Sequence, residues 1–368
     1  MEIKNISLKE RITAIDALRA IAIFGIVLAH VQRGFGFPMS NTLITPFDNA
    51  LYQGISIFII NRAHAIFSIL FGISFYLILK NPNYSSGKFV WRCVLLMMFG
   101  LFNKLIYTPD VLITYGFLGI FLCLFRNTKT VYLFVLFCIF FCLNDFLSQY
   151  KLGNWLFGQS LGSRYFAETS FKELITYRYA VIDSLRSTIS SRFFRYFALF
   201  LLGYCIAKVG VIDNISQYNT KLVVFILLVL TIIFAGIKVI FALEYNFLIL
   251  FCALFYMSLF LWLYDNVNVI KKFFKYLEPF GKCGLSNYSL INILGVLTMA
   301  NFGLGLINYS FSVIVCIYVC MYVCMVVLSY YWIKYFKYGL MEWLWRCATE
   351  RKLLNNKQSK DSIILKTI

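Results

Sequence analysis

FSVIVCIYVCMYVCMVVLSYYWIKY, residues 311–335, carries a single charged side chain, Lys334. At about 1.5 Å per residue, a helix of this length crosses the roughly 30 Å hydrocarbon core of a bilayer. Nine further apolar runs lie upstream, at approximately 13–32, 52–79, 89–107, 111–126, 130–148, 193–209, 221–241, 247–264 and 284–300. The sequence therefore predicts an all-α fold: a polytopic transmembrane helix bundle of about ten spans. Residues 1–335 form a single transmembrane domain in this reading, and 336–368 an amphipathic, basic cytosolic tail. Asn61, Arg62 and His64 interrupt the second run, which reads as a short helix followed by a full one. The ninth run is rich in Gly, Ser and Asn, a composition suited to packing against protein.

Composition agrees. Hydrophobic residues make up 61% of the 368 and charged residues 14%, against about 45–50% and 25% in soluble domains. The 39 Phe, 25 Tyr and 6 Trp exclude a disordered chain. A net charge of +18 raises the question of nucleic acid. The Lys and Arg, however, fall in small groups between apolar runs, as at helix ends facing an anionic membrane surface. Membrane lipid, and no nucleic acid, is the expected partner.

The short loops set the expected orientation. Lys80 and Lys88, Arg126 and Lys129, Lys208 and Lys221, and Lys271, Lys272, Lys275 and Lys282 mark the cytosolic side, leaving Arg33 and Lys104 outside. Both termini are then cytosolic. The long segment 149–192 falls outside, and its stretch from Phe171 to Leu185 groups Leu174, Ile175, Tyr179 and Ile182 near one helical face, as in a helix lying on the membrane. Most of the 11 cysteines sit within apolar runs. Cys316, Cys320 and Cys324 recur at helical spacing and read as small residues for helix packing, not as a metal site. No Gly-rich phosphate loop, HExxH or G-x-S-x-G is present, which removes nucleotide hydrolysis, zinc peptidase and serine hydrolase chemistry.

Ionisable groups at membrane depth are costly and therefore informative. Asp16 and Arg19, one helical turn apart near the inner end of the first span, form either a structural ion pair or a cationic contact for a phosphorylated ligand. His30 lies eleven residues further on, a rise of roughly 16 Å toward the outer leaflet. An imidazole is well suited to take a proton from a hydroxyl or amine near neutral pH, and this chain has only 2 His. Arg62 and His64 fall at similar depth, lining the same cavity or serving as a snorkelling cation and a packed ring. Asp110, in the turn Tyr107-Thr108-Pro109-Asp110, either caps the next helix or orients an imidazole.

Several blocks resemble the YeiB-like family of bacterial multispanning membrane proteins, also described as domain of unknown function 418. They are Arg11 to Ile26 with Asp16, Leu18 and Arg19; Phe67-Ser68-Ile69-Leu70-Phe71-Gly72; and Arg92, Leu95 to Gly100, Asp110-Val111-Leu112 and Tyr115-Gly116. Near the end come Gly281 to Tyr288, Phe302 to Leu306 and Gly339 to Arg346. Ala20 stands where the family usually has Gly, Pro109 likewise replaces a Gly, and Asn103 stands where it often has His, which removes a base there. His30 takes the place of a common Asn, whereas glycan O-acyltransferases resemble this chain in having Arg and then His eleven positions later.

The resemblance implies membership of the wider membrane acyltransferase superfamily and a location in the bacterial cytoplasmic (inner) membrane. The implied reaction moves an acyl group, acetyl above all, from cytosolic acyl-CoA (acetyl-CoA) to a hydroxyl or amine of an envelope glycan or other extracytoplasmic acceptor. No tightly bound cofactor and no metal are expected. His30 would be the base; Arg62, His64 and Asp110 would line the acceptor side; Arg19 and Arg92 would bind donor phosphates. The alternatives are a small-molecule transporter or exporter and a non-catalytic component of a biosynthetic complex.

Overall fold

A computed structural model describes residues 8–36, 42, 44–107, 110–149, 192–214, 218–241 and 246–358. Most of the long segment 149–192 with its Phe171–Leu185 stretch, Thr108 and Pro109, and the last ten residues lie outside the described residues. The described chain consists of helices α1 (Leu8–Gln32), α2 (Pro46–Phe58), α3 (Arg62–Leu79), α4 (Ser86–Ile106), α5 (Leu112–Leu124), α6 (Thr130–Gln149), α7 (Arg192–Lys208) and α8 (Lys221–Phe241). These are followed by α9 (Asn246–Asn266), α10 (Asn268–Phe274), α11 (Glu278–Lys282), α12 (Gly284–Met299), α13 (Phe311–Tyr335) and α14 (Leu340–Glu350). Six stretches among them are long and apolar enough to cross a membrane: Thr13–Gln32, Pro46–Leu79, Ser86–Ile106, Lys221–Ile240, Asn246–Asn266 and Phe311–Tyr335.

Side-chain size decides which helix is central. α1 is lined by Ala14, Ala17, Ala20 and Ala22 between Leu18, Ile23, Ile26 and Val27, all buried, so neighbours close on it from several sides. It packs against α3, α11, α12 and α13. α8, with large apolar side chains and none of its apolar window buried, lies at the rim against α9. α13 buries Phe311, Ile314, Tyr318, Tyr322, Met325, Ser329 and Ile333, a three-and-four spacing that makes one stripe. Cys316, Cys320 and Cys324 fall on the opposite face and are exposed. The expected helix-packing role of the cysteine stripe is thus corrected: the larger aromatic stripe takes the protein-facing side. Among the described residues no group of three His, Cys, Asp or Glu is placed to hold a metal.

The second apolar run is a short and a full helix, as its polar interruption predicted. α2 starts from a capping box between Thr45 and Asp48, with Pro46 at its first position. It ends before Asn61, whose φ of 64° breaks the run. α12 buries Asn287, Tyr288, Ser289 and Asn292, so the Gly-Ser-Asn run does face protein.

The loops sort onto two faces. On the basic one, Lys80 meets Asp213 at 3.5 Å, Arg126 donates to the Asn81 carbonyl at 2.9 Å, Lys208 to the Thr128 carbonyl at 2.6 Å, and Lys88 pairs with Glu350 at 2.6 Å. On the other face the amide of Phe311 donates to Thr42 at 2.8 Å and that of Ser312 to Asp48 at 2.8 Å. The loops carrying Lys80 and Lys88, Arg126 and Lys208 thus share one side of the bundle.

α3 and α7 cross closely, with Gly72 against the α7 backbone and Gly203 against that of α3. A Cβ on Gly203 would run into the Ile69 carbonyl, and one on Gly72 into that of Phe200. Lipid gives apolar helices no hydrophobic reason to associate, so close backbone approach at small residues does the work. Gly203→Leu should therefore lower the thermal midpoint of the detergent-solubilised protein by overpacking, a cost of about 1–3 kcal/mol or more. An unchanged melting curve by circular dichroism would contradict this crossing.

Candidate functional site

α1 delivers His30 in its last turn, and the chain then reverses through a short turn at Gly34–Gly36. Phe35 sits there at φ 51°, a left-handed conformation that costs a non-glycine residue on the order of 1–3 kcal/mol unless its surroundings hold it. Its ring is fully buried, stacked on Tyr318 at 5.2 Å and edge-on to His30 at 5.6 Å. The second strained residue, Asn61, opens α3. Arg62 then donates to the Ile60 carbonyl at 3.0 Å, and the His64 ring comes within 6.3 Å of His30. Each histidine thus lies in a helix within five residues of a backbone outlier, Phe35 for His30 and Asn61 for His64.

α12 and the end of α4 close the chamber. The Tyr107 ring is 4.6 Å from His30 and that of Tyr288 is 6.2 Å away. The Tyr288 hydroxyl donates to Asp110 Oδ1 at 2.8 Å, while Oδ2 accepts the Leu112 amide at 3.0 Å. Asp110 therefore caps α5 and holds a tyrosine in place of an imidazole. Burial pushes its carboxyl up to about 7, against the hydrogen bonds from Tyr288 and Leu112 and the charge of nearby Lys104. Asn103 donates to Ser289 at 3.1 Å, and its carbonyl oxygen makes no hydrogen bond. Asn292 lies beside His30 and the Tyr288 hydroxyl, fully buried, with both amide atoms outside hydrogen-bond geometry. The Nε of Arg62 is likewise buried and unpartnered. Such atoms cost about 1–3 kcal/mol each when left so, and those of Asn292 lie beside the His30 imidazole.

A second group gathers toward the basic face. Arg19 pairs with Asp16 at 2.7 Å and donates to Ser74 at 3.2 Å and to the Gly281 carbonyl at 3.3 Å. Arg92 lies over the Trp345 ring at 3.9 Å. Both line a pocket of about 270 Å³ together with Lys282 and Arg346, and its apolar walls include Phe67, Phe71, Phe75 and Leu96. Tyr288 and Leu112 also line it. One side chain, Tyr288, is thus shared by this pocket and the histidine chamber.

α14 forms part of the pocket wall through Glu342, Trp345 and Arg346. Glu342 accepts the Leu285 amide at 2.6 Å, that of Ser286 at 3.2 Å and the Ser286 hydroxyl, and so caps α12 from a distant part of the chain. Burial raises the Glu342 carboxyl above the ordinary carboxylate range, against these hydrogen bonds.

The structure thus brings His30, His64 and, through Tyr288, Asp110 together. It sets Arg62 at their edge, with its guanidinium turned to Ile60, and leaves Arg19 and Arg92 at the pocket. Sequence reading missed Tyr107, Tyr288, Asn292 and Lys104. The signal for two of them was present: Tyr288 and Asn292 stand four apart in a polar run, on one helical face.

This arrangement defines a helical membrane protein with a buried polar cluster around His30 and a separate pocket that shares Tyr288 with it. Residues 206–352 match the family model described as "Protein of unknown function (DUF418)". The chain is similar to a Bacillus subtilis (strain 168) protein named "Uncharacterized protein YxaH", 26% identical over 92% of this chain and 94% of the relative. An "Uncharacterized 39.9 kDa protein in amylase 3'region" of Bacillus acidopullulyticus is 23% identical over 94% of this chain and 95% of its own. No solved structure matches the chain.

The raised Asp110 carboxyl has a measurable consequence. Its ordinary value is 3.8, so between about pH 4 and about pH 7 the folded protein holds a proton that the unfolded chain has released. Stability from this group falls as pH rises through that window and is level above it. Asp110→Asn should remove that slope from melting temperatures recorded between pH 4.5 and 8. A variant with the wild-type slope would place the titrating group elsewhere.

Proposed function

We propose that this protein is an integral-membrane acyltransferase of the bacterial cytoplasmic membrane. It moves an acyl group, acetyl first among candidates, from a cytosolic acyl-CoA thioester to a hydroxyl or amine of an extracytoplasmic acceptor such as an envelope glycan. The observation that carries the reading is the sharing of Tyr288: it lines a pocket with Arg19, Arg92, Lys282 and Arg346, and its ring lies 6.2 Å from that of His30. Ten spans with both termini on the cytosolic side would put the basic rim where the donor is. The shorter helices α5, α6, α7 and α12 would complete that count beside the long apolar ones.

The chemistry follows from the chamber. His30 accepts the proton of the acceptor O–H or N–H as that oxygen or nitrogen attacks the thioester carbonyl. The carbon–sulfur bond then breaks, and the departing thiolate takes the proton from the imidazolium. Asn292, with an unspent amide donor beside His30, is better placed than Arg62 to stabilise the oxyanion. Asp110 acts through Tyr288, by fixing the wall shared by pocket and chamber.

Purified protein in lipid vesicles, given labelled acetyl-CoA and envelope extract, should transfer label to an extract component. His30→Ala should reduce turnover by about 10²-fold or more, the usual contribution of a positioned base, with an unchanged melting curve. His64→Ala should reduce it less. Full activity in His30→Ala would remove His30 as the base, and flux of a labelled solute without any transfer would replace this reading with transport.

A further inference from the structure

The cations of the basic face are not evenly committed. Arg19 is paired with Asp16, Lys80 with Asp213 and Lys88 with Glu350. Beside the donor pocket lies a second, wider cavity of about 720 Å³ that shares Ile78, Arg92, Tyr338 and Arg346 with it. Its cations are Arg92, Arg346, Lys337 and Lys352, and none is in an ion pair among the described residues. Its one carboxylate, Glu350, is held at 2.6 Å by Lys88, which does not line the cavity.

The two guanidinium groups are held by aromatic rings instead of carboxylates. Arg92 lies over Trp345 at 3.9 Å, and its Nε, buried, makes no hydrogen bond. Arg346 lies over Tyr338 at 4.2 Å and donates to its hydroxyl at 2.8 Å. The Tyr84 hydroxyl, also buried and lining the cavity, faces Arg92 without meeting full hydrogen-bond geometry. Two neighbouring guanidinium groups repel one another, and stacking fixes their planes while leaving N–H groups unspent. An anion that accepts from both relieves the repulsion and uses the donors.

The far wall is equally fixed. After α14 the chain doubles back, so that the Lys337 amide donates to Asn356 at 2.8 Å, Asn356 brackets Tyr338 through both its side-chain atoms, and Phe336 bridges Lys357. Lys337 and Lys352 are thereby presented from an ordered return, not a loose end. The cavity volume falls within the range of about 300–1,000 Å³ typical of small-molecule sites.

We infer that this outer cavity is a phosphate-ester site, in which Arg92 and Arg346 grip one phosphate and Lys337 and Lys352 a second, as in a nucleoside bisphosphate. It rests on the acyl-CoA reading only for the identity of its natural ligand, because the same chemistry is offered by the headgroup of an anionic lipid. With a soluble donor, the site holds the nucleotide end while the narrower pocket receives the thioester arm.

The test uses the full chain in phosphatidylcholine nanodiscs with adenosine 3′,5′-bisphosphate as probe, read by calorimetry. Saturable, salt-sensitive binding is expected, weakened at least tenfold in Arg346→Gln, partly retained in Arg346→Lys, and unchanged in Lys272→Gln, which does not line the cavity. Melting curves establish that each variant is folded. A parallel arm replaces the lipid with phosphatidylglycerol and follows retained lipid by native mass spectrometry. Loss of probe binding there, with lipid retained by wild type and not by Arg346→Gln, supports the same site with a lipid headgroup as its source. Absence of both ligands from wild type, or equal binding by Arg346→Gln, overturns the inference. Labelled acetyl transfer in the same preparations separates the two proposals. Transfer with a donor KM untouched by Arg346→Gln leaves the enzyme and removes this site; probe binding without transfer does the reverse.

Discussion

A hydrogen bond from the Tyr288 hydroxyl to Asp110, 2.8 Å long, holds the one side chain shared by the pocket and the cluster around His30. It fixes α12 against the turn between α4 and α5, and the same tyrosine lines the pocket and forms a wall of the histidine chamber. Within an apolar bundle a buried polar group must find its partner inside the protein. Asp110 does so by accepting from both Tyr288 and the first amide of α5. The carboxylate that would be a liability alone becomes the fastening point of the site.

The surrounding architecture serves that chamber. Small residues on α1 and the glycine crossing of α3 and α7 let helices approach closely enough to enclose polar groups. Of the three non-glycine residues with positive φ among the described residues, Phe35 and Asn61 flank the helix ends that carry His30 and His64, and Arg351 ends α14. α14 closes the basic end, pinned by Glu342 at the start of α12, by Trp345 to the Arg92 carbonyl at 2.8 Å and by Lys88 to Glu350.

Particular residues explain what the sequence could disclose. Runs of apolar residues announce helices because the bilayer leaves the backbone no other way to satisfy itself. The break at Asn61 was legible because three polar residues interrupt such a run, and His30 and His64 because ionisable groups at depth are rare. The direction of the cysteine stripe was not legible: α13 is apolar all round, so only its neighbours decide which face is protein-facing. Tyr288 and Asn292 share a face of α12, but their meeting with Tyr107 and His30 joins helices far apart in the chain, and no local pattern encodes it. Nor does any local pattern show that Glu342, on a short amphipathic helix, caps α12.

The central claim is that one route connects the basic face to His30. Photolabelling with an acyl-CoA analogue bearing a diazirine on its acyl chain, followed by mapping of the modified residues, tests it most directly. The account predicts label on Tyr288, Phe67 or Phe71 and on His30 or its neighbour Tyr107, displaced by excess coenzyme A. Label confined to lipid-facing positions such as those of α8, or unaffected by coenzyme A, would contradict it.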